Sequence, residues 1–179
     1  YVSPSGDNAN NGSIEMPFKT ISYGASKLKA GDFLYLREGT YHEEISFQFN
    51  GTAENRITIS GYPGEKAVID GEYSLPGGSV YYFLVKITGD YVTLKDLSVL
   101  RSKGGLVILR GDYNHGINIQ GNGSYESGIV ADGDYCLLES CTMTDNGNHY
   151  GIGGQTTWGS ALELSGYAGI MQNCVAYDN

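Results

Sequence analysis

Four charged side chains fall at related places in this sequence. Gly89, Gly111, Gly133 and Gly166 each close a short apolar stretch. Three positions before them stand Lys86, Ile108, Val130 and Glu163, and one position before them stand Thr88, Arg110, Asp132 and Ser165. If the stretches are strands with alternate residues turned outward, then Lys86, Arg110, Asp132 and Glu163 share one outward surface. Such a row can hold an anionic ligand on its cations. It can equally be a solvated surface in which Arg110 and Asp132 pair across neighbouring strands, worth at most about 1 kcal/mol.

Other reactive residue types lack partners. His115 and His149 lie beside Gly and Asn in expected loops, with no Ser or Cys at triad spacing. Asp112-Tyr113-Asn114 and Asp145-Asn146-Gly147-Asn148 are rich in oxygen but lack the spacing of an EF-hand, and read as turns. Cys136, Cys141 and Cys174 are odd in number and form no CxxC, so neither a disulfide framework nor a zinc site is expected. Trp158 and Tyr150 stand in an inserted loop, where they can stack on a sugar ring or pack on the coil beneath.

The elements that would position these residues come from a repeat. Gly-Asp-Tyr begins at Gly89, Gly111 and Gly133, a period of 22 residues, and a related Gly166-Tyr167 follows after an insertion. A fixed period in the twenties is the signature of a solenoid. Two and four positions before each Gly stand Val85 and Ile87, Val107 and Leu109, Ile129 and Ala131, and Leu162 and Leu164, all apolar. After the Gly come Val92, Leu94, Leu97 and Val99, with a matching set at Cys136, Leu138, Cys141 and Met143. The change from a spacing of two to three between Leu94 and Leu97 marks a tight corner. The same inward ladder would hold Leu97, Cys141 and Cys174, as buried thiols rather than a disulfide. The stretch from Asn114 to Gln120 is degenerate and has no clear register. At the N-terminus, Phe18, Ile21, Ala25 and Leu28 lie on one helical face, which predicts a helix capping the open end of the solenoid. The expected fold is therefore all-β, a right-handed parallel β-helix of three-strand coils. It forms a single domain over residues 1–179, with a loop and helical cap over 1–31 and coils over 32–179.

Composition narrows the partners. A net charge of −9 disfavours nucleic acid and anionic membranes, and no apolar run is long enough to span a bilayer. The 15 Tyr fit an exposed aromatic surface of the kind carbohydrate-handling proteins use, or simply the strand preference of Tyr. The start at Tyr1 reads as a mature or trimmed terminus of a secreted or cell-surface protein. The end in mid-coil reads as part of a longer chain. A monomer is expected.

Particular stretches carry a family resemblance. Tyr1-Val2-Ser3-Pro4-Ser5-Gly6, Pro17-Phe18-Lys19-Thr20-Ile21, Ala30-Gly31-Asp32 and Gly39-Thr40-Tyr41 resemble the N-terminus of secreted β-helix polysaccharide lyases. So do Ile57-Thr58-Ile59, Tyr62-Pro63-Gly64 and Val68-Ile69-Asp70-Gly71. The likeness is greatest to family 9 pectate lyases and more distant to family 6 alginate and chondroitin lyases. It implies calcium, a Lys base in later coils, and an acidic, pectate-like polysaccharide as substrate. It also implies that Asp178, in Cys174-Val175-Ala176-Tyr177-Asp178-Asn179, matches the first calcium aspartate. Apart from the resemblance, whose base belongs to later coils, the outward row makes Lys86 and Arg110 the candidate catalytic residues within this sequence, with Lys86, Arg110, Asp132, Glu163 and Trp158 as candidates to bind substrate. A non-catalytic cell-surface β-helix that binds glycans or builds a stalk stays open. A glycoside hydrolase would need paired carboxylates, and no outward row supplies an obvious pair.

Overall fold

In the computed structural model, which describes residues 1–77, 82–147 and 159–179, the chain coils into stacked turns of short parallel strands. The elements are α1 (Ile21–Ala25), β1 (Phe33–Leu36), β2 (Gly39–Tyr41), β3 (Ile45–Phe47), β4 (Ile57–Gly61), β5 (Ala67–Asp70), β6 (Phe83–Ile87) and β7 (Val92–Ser102). They continue with β8 (Gly105–Leu109), β9 (His115–Ser124), β10 (Ile129–Ala131), β11 (Leu137–Glu139), β12 (Thr142–Asn146), β13 (Leu162–Leu164), β14 (Ile170–Gln172) and β15 (Val175–Tyr177).

Every pairing among the described strands is parallel and joins one turn to the next, which gives three faces. Sheet I is β3-β6-β8-β10-β13. Sheet II runs β1, β4, the first half of β7, the first half of β9, β11 and β14. Sheet III runs β2, β5, the second halves of β7 and β9, β12 and β15. The long strands β7 and β9 cross from sheet II to sheet III at Asp96 and Asn118, both in the left-handed region, and Ser140 and Asn173 make the same corner in later turns. This is the corner that the Leu94-to-Leu97 spacing marks.

The inward ladders form the core. Val85, Ile87, Val107, Leu109, Ile129 and Ala131 are buried, and Leu162 and Leu164 pack half-buried on them. The register resolves the degenerate stretch: Leu94 pairs with Gly116, Leu97 with Ile119 and Val99 with Gly121. The two glycines hide the pattern because larger neighbours take their room. A Cβ at Gly116 would sit 2.9 Å from Leu138 Cδ2, and one at Gly121 would collide with Met143 Sδ. Asn114 replaces an inward apolar residue. Its Nδ2 donates to the Gly89 and Gly111 carbonyls at 2.8 and 3.0 Å, and its Oδ1 accepts from Val92 N–H, so its burial leaves no polar atom stranded. Ile119, Cys141 and Cys174 complete one ladder; Cys141 is fully buried and Cys174 half-buried.

Three expectations change. Asp145 and Asn146, read as part of a turn, end strand β12 because Asn146 pairs with Ser124 in the turn before. The helix is shorter than its apolar spacing, because Phe18 bridges to Val2 as a strand and Thr20 caps the helix by accepting from Tyr23 N–H. Ile21 and Ala25 still bury against the core, with Phe18 and Leu28 beside it. His115 opens strand β9 instead of lying in a loop.

Candidate functional site

Sheet I carries the row that the sequence singles out. Lys86 lies on β6 between Ser46 and Ile108, Ile108 pairs with Val130, and Val130 with Glu163. The middle of the row is apolar: Ile108 is 3% and Val130 9% exposed, and both lie outside the main core cluster. Lys86 and Glu163 are thus held at opposite ends of a buried apolar pair. One residue beyond the strands, Arg110 and Asp132 meet as expected. Arg110 Nε donates to Asp132 Oδ2 at 3.1 Å, and Ser165 Oγ donates to Asp132 Oδ1 at 3.3 Å. This pair is about half exposed on both sides, so it contributes little to stability. Lys86 has no ion-pair partner among the described residues. The two candidate cations are therefore unlike: Arg110 is held by Asp132, and the Lys86 ammonium is unpaired among the described residues. Trp158, Tyr150 and His149 lie outside the described residues.

Asp178 follows β15 in the left-handed region, and its carbonyl accepts from the Asp145 N–H at 3.1 Å. Stacking makes Asp145 its counterpart in the preceding turn. The Asp145 carboxylate already accepts from Asn122 Nδ2 at 2.8 Å. Calcium takes six to eight oxygen ligands. Two carboxylates at one corner do not complete that set, and no group of three His, Cys, Asp or Glu able to hold a metal occurs among the described residues.

The Gly-Asp-Tyr repeat proves to be a stacking device at the corner between sheets I and II. A Cβ on Gly111 would lie 2.5 Å from the Gly89 carbonyl oxygen, and one on Gly133 would collide with that of Gly111. Each Asp then accepts the next turn's N–H: Asp90 from Asp112 at 2.9 Å, Asp112 from Asp134 at 2.9 Å, and Asp134 from Tyr167 at 2.8 Å. Each Tyr turns the corner with positive φ, and Tyr91, Tyr113 and Tyr135 stack nearly parallel with ring centroids 4.6 and 4.9 Å apart. Their faces cover one another, so they offer a ligand edges rather than platforms.

Three further charged groups carry no repeat signal. Asp70, at the end of β5, is almost wholly buried and accepts from Arg101 Nε at 3.0 and 3.1 Å. Burial opposes its charge, but Arg101 and the Glu72 N–H outweigh that and hold its carboxyl below the usual range. Arg56 donates to Thr93 Oγ1 at 3.0 Å and to the Tyr113 carbonyl. It thereby faces His115, whose pKa is pushed down to about 4 by burial and then by Arg56. The partners in these groups are 31 to 57 residues apart, so only the stacking of turns brings them together.

The comparisons with known proteins agree with this architecture. The family description "Pel9A-like, right handed beta helix region" matches residues 1–179. The chain is 32% identical over 157 residues to the Bacillus subtilis (strain 168) protein named "Uncharacterized protein YwoF", covering 84% of this chain and 31% of that one. It is 30% identical over 146 residues to "Pectate lyase PEL9" of Emericella nidulans, covering 75% of this chain and 35% of that one. The solved structure of pectate lyase Pel9A superposes with a TM-score of 0.77 at 21% identity, over 97% of this chain and 46% of that one. The chain thus spans about a third of the length of these two curated relatives. The match over its whole length, with parallel turns and no antiparallel pairing among the described strands, places the chain in the Pel9A-like right-handed β-helix family.

Proposed function

We propose that the protein is an extracellular, polysaccharide-lyase-like β-helix that acts on acidic, pectate-like polysaccharide by β-elimination. The observation that carries this reading is the ammonium of Lys86, without an ion-pair partner among the described residues and held half-buried on the outward face of sheet I beside the apolar pair Ile108 and Val130. The similarity to pectate lyases supplies the substrate class.

In this reaction a base takes the proton from C5 of a uronic acid, a role open to Lys86 only as the neutral amine. The C5–H electron pair becomes the C4–C5 double bond, the C4–O4 bond breaks, and O4 leaves with a proton. The enzyme must offset the substrate carboxylate, since its charge makes the C5 proton hard to remove. Lys86 can pair with that carboxylate directly, in a partly dry setting that strengthens the contact. Arg110 is less available because Asp132 holds it. Calcium would serve the same end, but the described residues do not assemble its ligands, so the steps assigned here run through side chains.

A second reading, glycan binding without catalysis, draws on the same surface. Arg110, Asp132 and Ser165 occupy one another, as a structural surface would have them. Incubation with polygalacturonate in the presence of calcium separates the two. A lyase releases unsaturated ends that absorb in the near ultraviolet, and a chelator abolishes the signal if calcium takes part. Lys86→Ala is expected to lower kcat/KM by at least about a hundredfold if Lys86 is the base, and by about tenfold if it only holds the carboxylate. Absence of product from pectate, alginate and chondroitin would favour the binding reading.

A further inference from the structure

Sheet III turns a second polar surface outward, on a different side of the molecule from Lys86. Two adjoining hollows of about 300 and 380 Å³ share Lys66, Ser98 and Gln120 in their lining. Ser98, Gln120 and Thr142 stand side by side on successive strands, and Leu100, Asn122, Thr144 and Tyr177 form the next row. The groove therefore runs along the axis of the coil, crossing one strand about every 4.8 Å. Its shape suits an extended chain better than a compact molecule.

Its charges do not cancel. Glu65 at the near wall is taken by Arg37 at 2.7 Å and by the Glu38 N–H at 2.7 Å. Asp96 is taken by Lys95 at 3.3 Å and by Asn118 Nδ2 at 2.9 Å. Lys66 is exposed and makes neither an ion pair nor a side-chain hydrogen bond among the described residues. A protein of net charge −9 thus leaves one uncompensated ammonium in a groove of hydroxyls and amides. The exposed Gln120 amide is likewise free of partners among the described residues. Tyr177 stands beside Thr144 in the outward row.

We infer that this groove is a second binding site, for a stretch of acidic oligosaccharide, separate from the row on sheet I. The inference rests on the acidic-polysaccharide reading above for its ligand class. Lys66 pairs with a sugar carboxylate, Gln120 bonds hydroxyls, and the Tyr177 ring covers the apolar face of a pyranose. A polymer held on sheet III stays at high effective concentration around sheet I between encounters.

Titration of the protein with a short galacturonate oligomer, followed by backbone amide shifts, tests this. A neutral galactose oligomer of equal length is the control. Shifts are expected at Ser98, Gln120, Asn122 and Thr142. Lys66→Ala, an exposed change that leaves the coil intact, is expected to weaken the acidic oligomer about tenfold and to leave the neutral one unchanged. Shifts confined to Lys86, Ile108 and Val130 would overturn the groove while leaving the acidic substrate class standing. Equal affinity for both oligomers at the groove, unaltered by Lys66→Ala, would overturn the acidic class and the role of Lys66 together.

Discussion

His115 shows how stacking changes a single residue. Burial and the Arg56 guanidinium push its pKa down to about 4, so the ring is neutral in the folded protein at ordinary pH. An unfolded His binds its proton near pH ~6.5. Below that pH the unfolded chain takes up a proton that the folded chain refuses, so stability falls as pH drops from about 6.5 towards about 4. The difference in urea midpoint between the protein and His115→Gln, followed across this range, should shrink or reverse on acidification. A difference independent of pH would show that the ring titrates normally. The sequence names His115 but not its environment, because Arg56 lies 59 positions earlier by residue number and reaches the ring only through two strand pairings.

At the scale of the element, the Gly-Asp-Tyr corner divides its work among three residues. Gly admits the carbonyl of the turn below, Asp accepts the N–H of the turn above, and Tyr stacks on its counterparts. Gly133→Ala forces a Cβ into the Gly111 backbone, which cannot swing aside as a side chain tip would. It is expected to cost about 3 kcal/mol, measured by urea unfolding. Gly77→Ala, with nothing within 4 Å of the added carbon, is expected to change stability by less than about 0.5 kcal/mol. Similar losses at both sites would contradict the close stacking at the corner. The repeat was legible because period and spacing alone define a solenoid. Its use of Asp and Tyr was not, since a loop aspartate and a strand tyrosine read the same whether or not they bond to the next turn. The cap helix errs for a related reason: Phe18 has helical spacing to Ile21, but a strand bridge to Val2 takes it first.

Across the whole molecule, the tightest packing lies in the middle turns. β7 and β9 run alongside each other through both sheets II and III, whereas the other strands are three to five residues long. Solenoids gain stability from nearest-neighbour interfaces, so local opening should be graded along the axis. Hydrogen exchange is expected to be slower for the amides of Leu94 to Leu100, inside a long continuous ladder, than for those of the three-residue strands Ile129–Ala131 and Leu137–Glu139. Uniform protection would mean that the coil opens only as one unit. The net charge belongs to this scale as well. At −9 the molecule repels a polyanion at long range. On the proposed reading, contact with an acidic chain then rests on the local ammonium groups of Lys66 and Lys86, within the roughly 8 Å over which charges act at physiological salt.

The sequence alone defines the class of fold, the strand faces and the period, because inward alternation and a glycine at each crowded corner recur along the chain and need no knowledge of distant contacts. It also named Arg110 and Asp132 as neighbours, since one repeat length separates them. The folded structure settles which cations stay unpaired among the described residues. Lys86 and Lys66 differ from Arg110, Arg37 and Arg101 through carboxylates that arrive from other turns. It also decided that Gly116 and Gly121 belong to the core, and that sheet III bears a groove. A groove and a charge balance depend on which side chains meet across stacked turns, and residues separated by one turn plus an irregular loop carry no mark of that meeting in their order.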